Sequence, residues 1–529
     1  MRQQKCIFAN ANHQTLNAIF IIMLRKIRLT LAIICLVLVT LLFVDFTGTL
    51  HTWLGWMARI QFLPAVLALN IGVVVILVLL TWVLGRVYCS VICPLGIFQD
   101  FLAWIGRKAG GKRRRLPYSY SPAKSWLRYG VLAVFLIALV AGVGSLVALL
   151  APYSSYGRIA SNLLQPVWMW GNNFLAYLAE RADSYAFYHT DVWLKSLPTF
   201  IIAVATFIIL AILAWRGGRT YCNTICPVGT ILGFIARYSW FRISIDEKKC
   251  NSCSLCSRRC KAACIDYKNH KVDLSRCVAC MNCIEECKHN AISYKLQLPW
   301  QKPGSQPAAT PNTQSNAATG NNTRRSFLIG TALALGTSAL QAQEKKVDGG
   351  LAPIIKKKRP VRQTPIVPPG ATDARHFAQH CTACQLCVSV CPNQVLRPST
   401  DMLKLMQPEM SYERGYCRPE CVRCSEVCPT GAISLIDRAE KSSIKIGTAV
   451  WTRQNCITQT DGQPCDNCAR HCPTGAIVMV TDAQNPDSDR RIPTINTERC
   501  IGCGACEALC PARPYSAIHV EGIITHHII

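Results

Sequence analysis

Two fold classes share this chain. The first part is expected to be a membrane α-helical domain, internally duplicated; the rest, small α+β modules built around clustered thiols. Three observations predict the division. Four apolar stretches without an internal Lys or Arg crowd the first 215 residues. A motif, Gly-Arg-x-Tyr-Cys-x-x-Ile-Cys-Pro-x-Gly, closes the second and the fourth of them, at 85–96 and 218–229. Six runs of four cysteines, holding 24 of the 31 in the chain, occupy its later part, from Cys250 to Cys510.

The apolar stretches, 29–46, 64–84, 129–151 and 199–215, read as four spanning helices, because a span takes about 17–25 predominantly apolar residues. Basic residues orient them. Arg25, Lys26 and Arg28 precede the first; Arg107, Lys108, Lys112, Arg113, Arg114 and Arg115 lie between the second and third; Arg216 and Arg219 come after the fourth. All fall on one side of a four-span topology, which the positive-inside rule assigns to the cytoplasmic face of a bacterial inner membrane. The loop 152–198 is then external, with Trp168, Trp170 and Trp193 suited to an interfacial belt. Membrane lipid is accordingly the first expected partner of this domain, 1–240.

Duplication makes each half a helix pair with C-x3-C-P at its end, both motifs on the cytoplasmic side. Cys89, Cys93, Cys222 and Cys226 are therefore expected to converge as redox thiols. A further cluster, a dithiol pair and a contact to another cofactor all satisfy the pattern, as does simple tight packing of a helix end by small residues.

Each of the six runs is spaced for a [4Fe–4S] cluster, in which three thiolates come from one tight loop and a fourth from elsewhere. They are Cys250, Cys253, Cys256 and Cys260; Cys277, Cys280, Cys283 and Cys287; Cys381, Cys384, Cys387 and Cys391; Cys417, Cys421, Cys424 and Cys428; Cys456, Cys465, Cys468 and Cys472; and Cys500, Cys503, Cys506 and Cys510. Competing uses of cysteine fit less well. Disulfide scaffolds belong to short secreted chains, whereas this one has 529 residues. Zinc ribbons use isolated C-x2-C pairs. Covalent haem would need C-x2-C-H, which does not occur.

The first two runs form a module at 241–297. In two-cluster ferredoxins the last cysteine of each run serves the neighbouring cluster. That exchange predicts one cluster on Cys250, Cys253, Cys256 and Cys287, and another on Cys277, Cys280, Cys283 and Cys260. Ala291–Tyr294 reads as a closing strand. Lys261 and Lys288 replace the proline usual after the fourth cysteine, and Cys264 is expected to be a small buried hydrophobe.

Residues 298–322, rich in Gln, Asn, Ala and Thr, read as a disordered linker. At 323–343, Thr-Arg-Arg-Ser-Phe-Leu precedes a mild apolar run and a small-residue exit, resembling a twin-arginine (Tat) export signal. A basic, Pro-rich linker, 344–372, leads to the last four runs at 373–529. Their second and third runs open with longer gaps, and all four end in Cys-Pro. Ala432–Ser434, Ala476–Val478 and Ala517–His519 mark a recurring strand after the Cys-Pro turns. This pattern predicts four clusters in two pairs, the first run pairing with either the second or the fourth.

The formal charge of +28 does not point to nucleic acid. Six oxidised clusters would remove about twelve positive charges at about two each, and much of the remainder flanks membrane segments. No general acid, nucleophile or substrate pocket is legible; Asp45, His51 and His189 lie near the expected outer face, where they could assist quinol deprotonation.

With these features assembled, residues 25–295 resemble the NapH-type membrane ferredoxin subunit of the quinol dehydrogenase serving periplasmic nitrate reductase. Residues 323–520 resemble its NapG-type, Tat-exported four-cluster partner. The resemblance implies bacterial-ferredoxin-like folds, six [4Fe–4S] clusters and a membrane-bound electron carrier rather than a stand-alone enzyme. It further implies quinol or a cytoplasmic donor on one side and an exported redox partner protein on the other, with the first module cytoplasmic and the second periplasmic. Two alternatives stay open: an accessory factor supplying electrons for maturation or regulation of a metalloenzyme, and a wholly cytoplasmic membrane-anchored polyferredoxin.

Overall fold

A computed structural model describes residues 2–109, 118–297, 355–482 and 490–529. The expected linker 298–322, the export signal 323–343 and the first part of the basic linker lie outside those residues.

Among the described residues two helices are long and apolar enough to cross a membrane, Met23–Val44 and Leu197–Gly217. At 1.5 Å per residue the first extends about 33 Å, close to the roughly 30 Å of a bilayer core. It continues an N-terminal helical stretch, the whole helix being Arg2–Val44. It stops where Asp45 accepts hydrogen bonds from the backbone N–H groups of Thr47, Gly48 and Leu50, at 2.9, 3.0 and 2.8 Å.

Four uninterrupted spans are not what the chain forms. The second expected span is divided into Phe62–Leu67 and Ile71–Leu84, and the third into Ser125–Val140 and Gly144–Leu150. The breaks fall at Leu69 and Gly142, with φ of 52° and 73°. A left-handed residue cannot continue a right-handed helix. Hydropathy registers neither break, because both sit inside continuous apolar sequence. The expected external loop is also different: it opens as helix Pro152–Ile159, entirely buried, passes through a π-helical turn at Ala160–Leu164 and continues as Gln165–Arg181.

The first thiol-rich module is closed by strand Phe241–Ile245 pairing antiparallel with Ile292–Leu296, and a short hairpin pairs Ile265 with Val272. In the second, Ile444–Trp451 pairs with Ile518–Ile528, Ile477–Thr481 with Arg491–Ile495, and Leu396–Pro398 with Pro408–Met410. Of the three strands expected after Cys-Pro turns, 432–434 is not one. There the chain bends, and Ser434 N donates to Gly370 O at 2.9 Å instead of joining a ladder.

The two modules pack at opposite ends of Met23–Val44. At its start Arg25 donates to Asn282 Oδ1 at 3.2 Å and pairs with Glu285. Just past its end, Thr47 O accepts from Arg423 at 2.8 Å, and nearby Arg59 reaches Glu426 O at 3.2 Å. The helix breaks create room for the second module. A Cβ at Gly144 would lie 2.3 Å from the Gln407 amide, and one at Gly157 would lie 2.4 Å from Cys384 O. Asn162 and Gln165 complete this seam, donating to Gln385 Oε1 and Ser389 O at 2.9 and 3.2 Å.

Candidate iron–sulfur sites

The tight loops are built by backbone conformation. In four of the six runs both residues flanking the second cysteine have positive φ: Ser252 and Ser254, Ala279 and Met281, Ala383 and Gln385, Gly502 and Gly504. This αL pair turns the chain so that three thiols face one hollow; only in the last run does glycine remove the steric cost. The two runs with longer first gaps, at Cys417 and Cys456, do without it.

Four hollows each bring three cysteines of one run together with the last cysteine of a neighbour. Cys250, Cys253 and Cys256 meet Cys287, and Cys417, Cys421 and Cys424 meet Cys391. Cys456, Cys465 and Cys468 meet Cys510, and Cys500, Cys503 and Cys506 meet Cys472. The complementary sets are electrostatic neighbours: Cys381, Cys384 and Cys387 with Cys428, and Cys277, Cys280 and Cys283 with Cys260. In the second module the first run therefore exchanges with the second, and the third with the fourth.

These sets suit a cluster. Each hollow offers four cysteine thiols, the donor set of a [4Fe–4S] cubane. Backbone N–H groups point at individual thiols: Ala291 to Cys287, Ala476 to Cys472 and Ala517 to Cys510 at 3.3 Å, Ile433 to Cys428 and Ala449 to Cys500 at 3.4 Å. Burial pushes the thiols of Cys283, Cys381, Cys387, Cys424 and Cys506 well above their usual range. Unligated they would stay protonated, and binding to iron is what would ionise them. A [4Fe–4S] centre held by such thiols exchanges single electrons at a potential set by burial and by hydrogen bonds to sulfur.

Backbone contacts join non-consecutive sets. Cys417 N donates to Cys503 O at 3.0 Å, joining the second hollow of the module to the fourth. Tyr412, fully buried, donates to Gly502 O at 2.7 Å beside them. In the first module Cys253 is exposed.

Cys264, expected to be a small buried hydrophobe, is buried in the module's core and is also a polar neighbour: its Sγ lies 3.5 Å from that of Cys260. It holds the Cys260 and Cys277 thiols below their usual range by hydrogen bonding. Asp45 and His51 do meet, at 3.5 Å, but Asp45 is occupied in its turn, and His189 is exposed.

The duplicated motifs converge. Cys89, Cys93, Cys222 and Cys226 are all buried, and Cys226 lies within charge–charge range of the other three. Each half reaches into the other: Arg86 Nη2 donates to Cys222 O at 3.3 Å, and Arg219 Nη1 to Cys89 O at 2.6 Å. The last glycine of each motif makes room for that carbonyl; a Cβ would lie 2.4 Å from Cys89 O at Gly96 and 2.3 Å from Cys222 O at Gly229. Sequence reasoning singles out only the cysteines here, although the signal for the two arginines stands in the same repeat, Gly-Arg-x-Tyr-Cys.

Comparison with known proteins agrees with this chemistry. A 4Fe-4S binding domain model matches twice, at 66–113 and 197–246, each match covering one C-x3-C-P motif. A 4Fe-4S dicluster domain matches 463–513, and a second 4Fe-4S binding domain matches 270–293. The methylamine utilization ferredoxin-type protein MauM of Paracoccus denitrificans is 31% identical over 194 residues, 36% of this chain and 83% of that protein. The ferredoxin-type proteins NapF and NapG of Escherichia coli are 29% and 30% identical over 182 and 152 residues. These stretches are 34% and 27% of this chain, and 99% and 64% of those proteins. No solved structure matches. The thiol sets and these relatives together show that the chain belongs to the ferredoxin-type iron–sulfur electron-transfer proteins, the family of MauM, NapF and NapG.

Proposed function

We propose that the chain is a membrane-anchored electron carrier with six [4Fe–4S] clusters, two on the cytoplasmic side and four on the periplasmic side of a bacterial inner membrane. It takes electrons from quinol, or from a cytoplasmic donor at the first module, and delivers them through the second module to an exported redox partner. The chain reads as a tandem of a NapH-like membrane unit and a NapG-like exported unit joined by a Tat-type segment. The observation that carries this reading is the attachment of the two modules to opposite ends of Met23–Val44, a helix of about bilayer length. Exposure of Cys253 in the first module supports a protein donor there.

Topology reporters fused after Ile529 and near Pro299 test it. Activity characteristic of opposite compartments is expected. A cytoplasmic signal at both positions would remove the exported half of the reading and leave a membrane-anchored polyferredoxin.

A further inference from the structure

We propose that Cys89, Cys93, Cys222 and Cys226 hold one more iron–sulfur centre, at the seam between the duplicated halves, and that this centre joins the two ferredoxin modules. The bridging role rests on the electron-carrier reading above; the site rests on the four thiols themselves.

Each sulfur has a donor aimed at it. Arg86 Nη2 lies 3.7 Å from Cys89 Sγ, Gln99 Nε2 lies 3.3 Å from Cys222 Sγ, and Gly229 N lies 3.3 Å from Cys226 Sγ. Cys93 receives the backbone N–H of Gly96. Cys226 caps helix Pro227–Ala236, which accounts for its bond from Gly229 N. The side chains of Arg86 and Gln99 serve no such cap, and N–H groups on sulfur orient and tune iron-bound thiolates. None of the four is in a disulfide.

Charge gives a second, independent argument. Arg219 is matched by Asp100, which accepts from Nε and Nη2 at 2.9 and 2.8 Å. Arg86 is fully buried and has no carboxylate among the described residues. Its partners are Asn223 Oδ1, Ser275 O, Cys222 O and Cys89 Sγ. A buried cation without a counter-charge is strongly unfavourable. A four-thiolate iron–sulfur centre is anionic and would supply that charge at the sulfur Arg86 already touches.

Position makes the site a bridge. Toward the first module, Arg86 bonds Ser275 O and lies within charge–charge range of Cys277. Toward the second, Tyr221 is within range of Cys222, Cys226 and Arg158, and Arg158 is within range of Cys384. One electron leaves a reduced cluster of one module, occupies the centre, and passes to an oxidised cluster of the other. No bond forms or breaks, and no proton needs to move.

Iron and acid-labile sulfide counted on anaerobically purified full-length protein test the site. Six clusters supply about 24 irons; the centre should add about two if it is [2Fe–2S] or about four if it is [4Fe–4S], and Mössbauer spectra of labelled protein separate these forms. The double variant Cys89→Ser/Cys226→Ser should lose that excess and nothing more. Gln99→Leu, which keeps all four thiols, should retain the iron and lower the midpoint potential of one centre only. Equal iron in wild type and double variant, or a Gln99→Leu protein with every potential unchanged, overturns the proposal. A wild-type total below about 24 with the same difference between wild type and variant would instead count against the six-cluster reading.

Discussion

Arg219 donates to the carbonyl oxygen of Cys89 at 2.6 Å while its other two nitrogens grip Asp100 at 2.9 and 2.8 Å. One fully buried guanidinium thus fixes the second half of the helical domain to the thiol loop of the first. Lys261, from the first ferredoxin module, reaches the same carboxylate at 3.3 Å. Arg219→Lys cannot reproduce a three-way planar fork. Losing a partner from a buried ion pair costs about 3–5 kcal/mol, and Lys261 should reduce that loss. Thermal unfolding in detergent is expected to show a clear drop for Arg219→Lys and a larger one for Arg219→Ala. An unchanged midpoint in both would show that the crossing arginine does not hold the halves together.

The exchange of fourth ligands can be read directly by spectroscopy. Cys391 belongs by sequence to the run of Cys381, Cys384 and Cys387, yet it lines the hollow of Cys417, Cys421 and Cys424. Cys391→Ser should therefore alter the same electron paramagnetic resonance signal as Cys421→Ser, and a different one from Cys384→Ser. If Cys391→Ser and Cys384→Ser perturb one signal in common, the exchange is wrong.

Cys264 is expected to tune the potential of a cluster held by Cys260 without ligating it, as the donor once Cys260 is an iron-bound thiolate. Its sulfur lies 3.5 Å from that of Cys260, and a hydrogen bond to a ligand sulfur favours the reduced, more negative state. Cys264→Ala removes the donor and leaves the four ligands in place. With a net hydrogen bond worth about 1 kcal/mol, the midpoint should fall by about 40 mV for a one-electron couple. Redox titration of the first module should find one potential lowered and the other unmoved; a rise, or an equal shift in both, would contradict the contact.

Metal chemistry is far more legible in this chain than architecture. Four thiols at fixed short spacing can serve few purposes, so the sets at Cys250 and Cys277, and their exchange through Cys260 and Cys287, can be read from local sequence. The helix breaks at Leu69 and Gly142 cannot. Both lie inside apolar sequence, and what makes them useful is a surface more than 200 residues away in the chain, such as Gln407 against Gly144. The role of Arg86 is hidden for a related reason. A basic residue at the end of an apolar stretch satisfies the positive-inside rule, and only the fold reveals that this one is fully buried between two thiol loops. The pairing of the last four runs is likewise open to sequence, because spacing constrains the loop that supplies three ligands but not the partner that supplies the fourth.

His526 gives the second module a pH dependence of its own. Both ring nitrogens are buried without a hydrogen-bond partner, while its backbone N–H is tied to Thr372 O at 3.1 Å. Burial, with His527 and Lys441 adding to it and Asp373 opposing, holds the imidazole down to about 4. The ordinary value is about 6.5. Between those values the unfolded chain binds a proton that the folded module does not, so stability rises with pH across the window and is lost as pH falls from 6.5 toward 4. The full difference corresponds to at most about 3 kcal/mol. His526→Gln removes the titration while keeping a polar side chain of similar reach. Wild type and variant should therefore unfold with a difference that changes by that order between pH 7 and pH 4.5, in the direction of relative gain for the variant in acid. Acid attack on the clusters affects both proteins and cancels in the comparison. Parallel stability curves would show that His526 is protonated or solvated in the folded module.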